Sequence, residues 1–508
     1  MAEIVLAALN AKYIHTAFGL RCLMANLGPL RERAALLEFD IKQRPMDVAA
    51  AILDRKPRVV GMGVYIWNLL PATMTARLVK TLRPETILVL GGPEVSHPPA
   101  PEEIADLADY ILQGEADLAF AELCRELLAG RRPPERLLQC APPPLEQLAL
   151  PYDLYAEEDL RSRVVYAELS RGCPYRCEFC LSSLDRTVRL FPQQKVFTAL
   201  DRLFERGLRA VKFADRTLNW RTDFAVRALD RLLPWARRGA RAHFELFPRR
   251  LPPPLRQALR QWPPDALELE VGVQTFNPET LRRIGRRQDP AIVEETLRFL
   301  REETGARLHA DLIFGLPGED LESFARSFDR LLTCRPQEIQ VGVLKRLRGA
   351  PIARHDAEWE MTYSPYPPYE ILRNRLVDFE LTRRLLAFAR YWDLIYNSGN
   401  FRESGPMLWR GSRSAFAAFL EFSDWLGARF GRRHAISLHA LMEAAFAYLV
   451  EIRRLPVEEA AAALARDYLR PGRRDPPPFL REHLAPSLAP SRRRRPRRRR
   501  KPPCEERD

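Results

Sequence analysis

Three cysteines fall within eight residues, in the stretch Glu168-Leu-Ser-Arg-Gly-Cys173-Pro-Tyr-Arg-Cys177-Glu-Phe-Cys180. Thiolates are the natural ligands of iron–sulfur clusters, which ordinarily take four. Three of them on one short loop hold three corners of a 4Fe-4S cubane and leave one iron open to a further ligand. A structural zinc site would want a fourth donor, and no neighbouring His or Cys completes a tetrahedron. Gly172 and Pro174 suit a tight turn around such a cluster. The other five cysteines (Cys22, Cys124, Cys140, Cys334 and Cys504) are scattered along 508 residues. That distribution favours metal binding at the triad over a disulfide framework.

The elements that would carry this loop can be read from hydrophobic patterning. Ile4–Leu9, Val59–Val64, Thr86–Leu90 and Tyr110–Leu112 are buried-strand runs. Between them, Ala17, Leu20, Met24 and Leu27 share a helical face with Thr16 as the expected N-cap, and Leu118–Leu128 reads as a helix. This alternation predicts an α/β domain over residues 1–135, a Rossmann-like or flavodoxin-like doubly wound parallel sheet. Ligands of such sheets sit beyond the carboxyl ends of the strands. Gly91-Gly92 lies at such an end, where missing side chains admit a large flat ligand. Prolines 133, 134 and 142–144 are expected to break any regular element between about Arg131 and Pro151, and a Pro-rich linker is predicted over residues 136–160.

Residues 161–360 repeat the pattern. Val164–Leu169, Ala210–Phe213, Ala242–Leu246, Ala266–Val273, Leu308–Phe314 and Glu338–Leu344 read as strands, with helices such as Lys195–Arg206 and Phe224–Leu233 between them. Six such units predict a partial, open (β/α)6 barrel of the TIM type, with its chemistry at the carboxyl ends of the strands. The cysteine loop follows the first of these strands. Residues 361–470 read as helical, through Ile371–Tyr391, Arg413–Gly427 and Ser437–Leu449. Residues 471–508 are rich in Pro and Arg and are expected to be disordered.

The formal net charge of +14 is misleading, because nine positive charges lie in Arg492–Lys501. The rest of the chain is mildly basic. Nucleic-acid binding would rest on the tail alone, which lacks interleaved aromatic residues for base stacking. No apolar run is long enough to cross a bilayer, and Met1–Leu9 lacks the pattern of a secretion signal, so a cytoplasmic protein is expected.

With its aromatic residue before the last cysteine, the C-x3-C-x2-C loop resembles the signature of the radical S-adenosylmethionine (SAM) superfamily. The resemblance implies a 4Fe-4S cluster held by Cys173, Cys177 and Cys180, whose open iron chelates SAM. Reductive cleavage of SAM would then give a 5′-deoxyadenosyl radical. Segments later in the barrel resemble the same superfamily: Phe213-Ala-Asp215-Arg-Thr217-Leu-Asn219, Glu270-Val-Gly272-Val-Gln274, and Asp311-Leu-Ile-Phe-Gly315-Leu-Pro-Gly318-Glu319. They imply SAM contacts from Asp215, Thr217, Glu270, Gln274, Asp311 and Gly315.

The order α/β domain, barrel, helical region is similar to that of the cobalamin-binding radical SAM proteins. The likeness covers roughly residues 1–450. It rests further on Val64-Tyr65-Ile66-Trp67-Asn68, Gly91-Gly92-Pro93-Glu94-Val95-Ser96 and Asn10-Ala-Lys12-Tyr13-Ile-His15. It implies a cobalamin site made by Tyr65, Trp67, Gly91, Gly92, Glu94 and His15. Family members with a histidine lower ligand carry D-x-H-x-x-G. Here Tyr13 and Phe18 replace the Asp and Gly, so His15 is expected to line the site and not to ligate cobalt. The implied activity is that of a cobalamin-dependent enzyme, a C-methyltransferase in type, with an electron donor such as flavodoxin or ferredoxin and a small-molecule substrate. The alternatives are a methylthiotransferase-like RNA modifier and a non-catalytic corrinoid or iron–sulfur binding protein. The first wants cluster cysteines in the N-terminal domain, where Cys22 and Cys124 lie far apart.

Overall fold

A computed structural model of the chain describes residues 2–97, 100–473 and 476–481. The first sheet has six strands: β1 (Ile4–Asn10), β2 (Ala34–Asp40), β3 (Val59–Gly63), β4 (Ile87–Gly91), β5 (Tyr110–Gly114) and β6 (Leu137–Cys140). Their order is β2-β1-β3-β4-β5-β6, and every adjacent pair is parallel. Side chains alternate across a strand. In β1, Val5, Ala7 and Leu9 therefore enter one core, while Ile4, Leu6 and Ala8 enter the other. Both faces are covered, as a doubly wound sheet requires. The winding changes direction at β1, between β2 and β3, and a crevice opens there at the carboxyl ends.

The second sheet begins with β7 (Val165–Ala167). A short antiparallel pair follows, β8 (Ser170–Arg171) with β9 (Arg189–Leu190). Then come β10 (Ala210–Phe213), β11 (Arg241–Leu246), β12 (Leu267–Gln274), β13 (Arg307–Phe314) and β14 (Glu338–Val343). The order β7-β10-β11-β12-β13-β14 is parallel throughout and open, so the barrel is partial. Every second residue of β11, β12 and β13 is buried, among them Phe244, Leu269 and Ala310. The alternate positions, including His243, Glu245, Glu270, His309 and Asp311, line cavities.

A hairpin follows, β15 (Thr362–Tyr363) with β16 (Ile371–Arg373), and then helices Phe379–Trp392, Ala415–Phe430, Leu438–Ala447 and Val457–Leu469. The chain divides into two compact units, with the boundary between Ala389 and Arg390. In the second unit, Trp392, Trp409, Phe419, Phe422 and Tyr448 form an aromatic core. Its Asp467, fully buried, accepts from the amides of Glu403 and Ser404 and from the Ser404 hydroxyl at 2.8–3.1 Å.

The structure departs from the expectations in five places. β2 is an edge strand, only half-buried along its length, so its sequence carries no clear burial period. β6 lies inside the expected linker. The prolines flank it without entering it, and as an edge strand it needs only one partner, β5. Thr16 does not cap the first helix; its hydroxyl donates to Val164 O at 2.8 Å, across to the barrel. The helix expected from Ile371 starts at Phe379, because Asp378 accepts the amide of Leu381 at 2.8 Å and acts as the cap. Within the tail, Pro478–Arg481 form a helical turn, whereas Arg492–Lys501 lie outside the described residues.

Candidate active site

The cysteine loop is held at its neck. β8 and β9 pair at Ser170–Leu190 and Arg171–Arg189, closing residues 172–188 into a loop. Gly172 has φ +91°, and a Cβ there would collide with Thr187 O. Cys173 N donates to Asp185 O at 3.0 Å, and Cys180 N to Cys177 O at 3.0 Å. From the barrel side, Glu178 N donates to Ile284 O at 3.0 Å. All three cysteines line one cavity with Tyr175, Phe179, Thr217, Glu245, Glu270, Gly272, Gln274, Arg286 and Asp311. Among the described residues, no three His, Cys, Asp or Glu side chains converge tightly enough for a single metal ion. Three thiols lining one cavity suit a cubane in which each binds a different iron.

The barrel strands contribute polar side chains to this cavity. Gln274 stands at a bulge where the β12–β13 register shifts between Gly272 and Gln274, and its φ is +72°. Its Oε1 is buried without a hydrogen-bond partner. Such an orphaned acceptor, held in a costly backbone conformation, suits a ligand donor. Burial would raise Glu270, but His243 at 3.2 Å and Lys212 at 3.3 Å hold it at about 2, so it stays ionised. Burial raises Asp311, with His309 at 3.2 Å opposing. Burial pushes Glu245 up to about 7, against Arg216 at 3.6 Å. Thr217, Glu270, Gln274 and Asp311 thus line the cavity that holds the three cysteines.

Asp215 and Gly315 do not line it. The Asp215 carboxylate accepts from Leu169 N at 2.9 Å and Ser170 Oγ at 2.5 Å, so it fixes the chain just before the cysteine loop. Gly315, at φ +84°, packs against Ile371 of the hairpin. Glu245 and Arg286 were missed. Glu245 carried a signal, since it alternates with His243 on β11 as Glu270 does with Glu268 on β12. Arg286 carried none, because it sits in an irregular turn.

The second site lies at the crevice predicted by the strand order. One cavity of about 420 Å³ is lined by the end of β1, His15–Leu20, Gly63, Tyr65, Trp67 and Asn68, with Tyr166 and Ala214 from the barrel. A second, of about 450 Å³, is lined by Gly61–Gly63, Gly91, Gly92 and Gly114–Asp117, with Glu168, Arg171 and Arg216. Phe18, Gly19, Leu20, Gly63 and Tyr65 line both. Tyr65 folds over glycine: its hydroxyl would lie 3.2 Å from a Cβ at Gly19, and its ring 3.0 Å from one at Gly63. The ring stacks on Trp67 at 4.5 Å, and Trp67 is exposed at the mouth. A long crevice floored by glycine, where backbone can approach a ligand, fits a group as large as cobalamin.

His15 lines the first cavity, with its Nδ1 2.8 Å from the Tyr166 hydroxyl. Burial lowers its pKa, with Lys12 and Lys212 acting in the same direction, so the ring is neutral. Glu94 lines neither cavity; it is buried and accepts from the Tyr369 hydroxyl at 2.9 Å.

A parallel doubly wound sheet with a glycine-floored crevice, set beside an open barrel with a three-cysteine loop, is the arrangement expected of a B12-binding radical SAM protein. Comparison with known families agrees. Residues 4–124 match the B12 binding domain, residues 167–331 the radical SAM superfamily, and residues 357–490 a family of unknown function, DUF4080. An uncharacterized methyltransferase of Pyrococcus horikoshii is 26% identical over 322 residues, which cover 56% of this chain and 67% of that protein. The chain spans 15–40% of the length of the next curated relatives. Two solved structures share the fold. The radical SAM methyltransferase TsrM from Kitasatospora setae, with tryptophan substrate and a SAM analogue bound, matches with TM-score 0.61 and 16% identity, over 79% of this chain and 90% of its own. The cobalamin-dependent radical enzyme OxsB, with aqua-cobalamin and SAM bound, matches with TM-score 0.61 and 12% identity, over 92% and 79%. The chain therefore carries a B12-binding domain followed by a radical SAM domain. Among the described residues no helix is long and apolar enough to cross a membrane.

Proposed function

We propose that this enzyme is a cobalamin-dependent methyltransferase that delivers a methyl group to a carbon of a small-molecule substrate. The observation that carries the reading is a shared wall. Arg216 lines both the glycine-floored crevice and the cysteine cavity, and Ala214, two residues before it, lines the neighbouring part of the crevice. A substrate carbon near the end of β10 would thus lie within reach of both cofactor sites.

When bound, the cluster supplies one-electron reduction of SAM, and cobalamin supplies a transferable methyl group. The protein's part is binding, orientation and exclusion of water. Cys173, Cys177 and Cys180 hold the cluster. Ionised Glu270 accepts hydrogen bonds from the SAM ribose, and Thr217, Gln274 and Asp311 bind the remaining polar groups of SAM. Asp215 and Gly315 act one step back, by fixing the chain before the cysteine loop and the end of β13. Tyr65, Trp67, Gly91, Gly92 and His15 line the cobalamin site, and Glu94 anchors the helical turn after Gly92. The working setting is cytoplasmic, with flavodoxin or ferredoxin as electron donor.

The test is anaerobic reconstitution with iron, sulfide and hydroxocobalamin, then desalting and metal analysis. About four irons, as a 4Fe-4S cluster requires, and one cobalt per chain are expected. The loaded enzyme should cleave SAM when reduced, and Cys177→Ala should not. Iron without cobalt would remove the cobalamin half of the reading. SAM cleavage by Cys177→Ala would remove the cluster half.

A further inference from the structure

Arg286 is a buried cation in contact with Cys177 of the cysteine loop, and its role in the proposed chemistry is unassigned. It is 7% exposed, in the turn after helix Pro278–Arg283. Nη1 donates to Cys177 Sγ at 3.1 Å and Nε to Gln288 Oε1 at 2.9 Å, while Nη2 donates to the carbonyl of Gly272. The guanidinium lies 4.6 Å from the ring centroid of Phe247, which stacks on Tyr175 of the cysteine loop at 3.7 Å. Gln288 is fixed in turn, donating to Val273 O at 2.7 Å.

The guanidinium is thus clamped on three sides with one N–H aimed at a cysteine sulfur. Of its three acceptors, only that sulfur becomes anionic. A buried cation is costly without a counter-charge. A cluster-bound thiolate supplies one, through a charge-assisted hydrogen bond.

We infer that Arg286 sets the reduction potential of the cluster by donating an N–H to the Cys177 thiolate. The inference rests on the radical SAM reading of the cysteine loop. Reduction adds one negative charge to the cluster. A fixed cation at hydrogen-bond distance stabilises that charge, so it raises the potential and eases delivery of the electron by a weak donor. Arg286 is a positioning residue in this account, acting through Cys177.

The test is a redox titration of the reconstituted full chain without SAM, followed by the electron paramagnetic resonance signal of the reduced cluster. Iron content and thermal melting are measured alongside. Arg286→Gln should retain its iron and show at least a tenfold weaker reduction equilibrium, a fall of ~59 mV for a one-electron couple. Arg286→Lys keeps the charge without the planar fork and should fall in between. SAM cleavage by both variants should recover when a stronger chemical reductant replaces the protein donor. A fully loaded Arg286→Gln with the wild-type potential overturns the inference. Should Arg286→Gln lose its iron, Arg286→Lys carries the test, and an unchanged potential there overturns it equally. Failure of the wild type to hold about four irons would instead sink the cluster reading, with the two failures distinguished by metal content.

Discussion

At the scale of single residues, the site depends on a few positions where one atom decides. Gly172 is one, because its φ of +91° and the nearby Thr187 carbonyl leave no room for a methyl group. Gly172→Ala should leave the fold intact but open the neck of the loop, and iron retained after desalting should fall below half that of the wild type. Glu245 is another. Burial brings its carboxyl to about 7, beside the cavity assigned to SAM. SAM is a sulfonium cation, and an ionised Glu245 attracts it. SAM affinity should therefore rise as pH climbs through 7, and Glu245→Gln should flatten that profile. Calorimetric titration of the loaded enzyme at pH 6 and pH 8 would check it, and an unaltered slope in the variant would rule the assignment out.

At the scale of elements, β12 is bent to serve the cavity. The register shift between Gly272 and Gln274 turns the Gln274 side chain back over Gly272, so that a Cβ there would lie 2.5 Å from Gln274 Nε2 and 3.3 Å from Arg286 Nη2. Bulges at strand ends re-aim side chains in this way. Gly272→Ala should displace the Gln274 amide and weaken SAM binding about tenfold, or about 1.4 kcal/mol. The melting temperature should fall by only a few degrees, because the strand itself stays paired with β11 and β13.

At the scale of the first compact unit, two ionic clamps join the cobalamin domain to the barrel. One centres on Arg171, the last residue of β8, which bonds Glu115 at 2.8 Å, Asp117 at 2.7 Å and Glu168 at 2.8 Å. It ties the loop after β5 to the residue that precedes Gly172. The other centres on Glu38 of β2, which meets Arg21 at 2.7 Å and Arg163 at 2.8 Å and accepts the Ala17 amide at 2.5 Å. Arg21 is 3% exposed, so the pair is desolvated and loss of one partner strands a charge. Burial would raise Glu38, but the two guanidiniums hold it at about 2. A carboxyl depressed in the folded state contributes stability above its unfolded value, near 4.5, and that stability is lost as pH falls through about 2. Thermal melts of the metal-free protein should therefore lose stability between about pH 4.5 and 2. Glu38→Gln should be about 3 kcal/mol less stable at pH 7 and much less pH-dependent in that window.

The sequence by itself determined the three-cysteine loop proposed to hold the cluster, the parallel α/β character of both sheets and the polar residues at the ends of β10, β12 and β13. Each of these follows from spacing or from hydrophobic period, which are local properties. The tertiary structure decided where the polar groups point. Asp215 and Glu94 lie in motifs at strand ends, yet their carboxylates satisfy backbone and hydroxyl groups inside the protein, because a buried acceptor takes whichever donors its neighbours present. Glu245 and Arg286 reach the cysteine cavity from a strand and a turn with no motif of their own. β6 became a strand because β5 offered it an open edge. Arg171, Arg21 and Glu38 found partners in Asp117, Asp159 and Arg163, at separations of up to 138 residues, which no local pattern encodes.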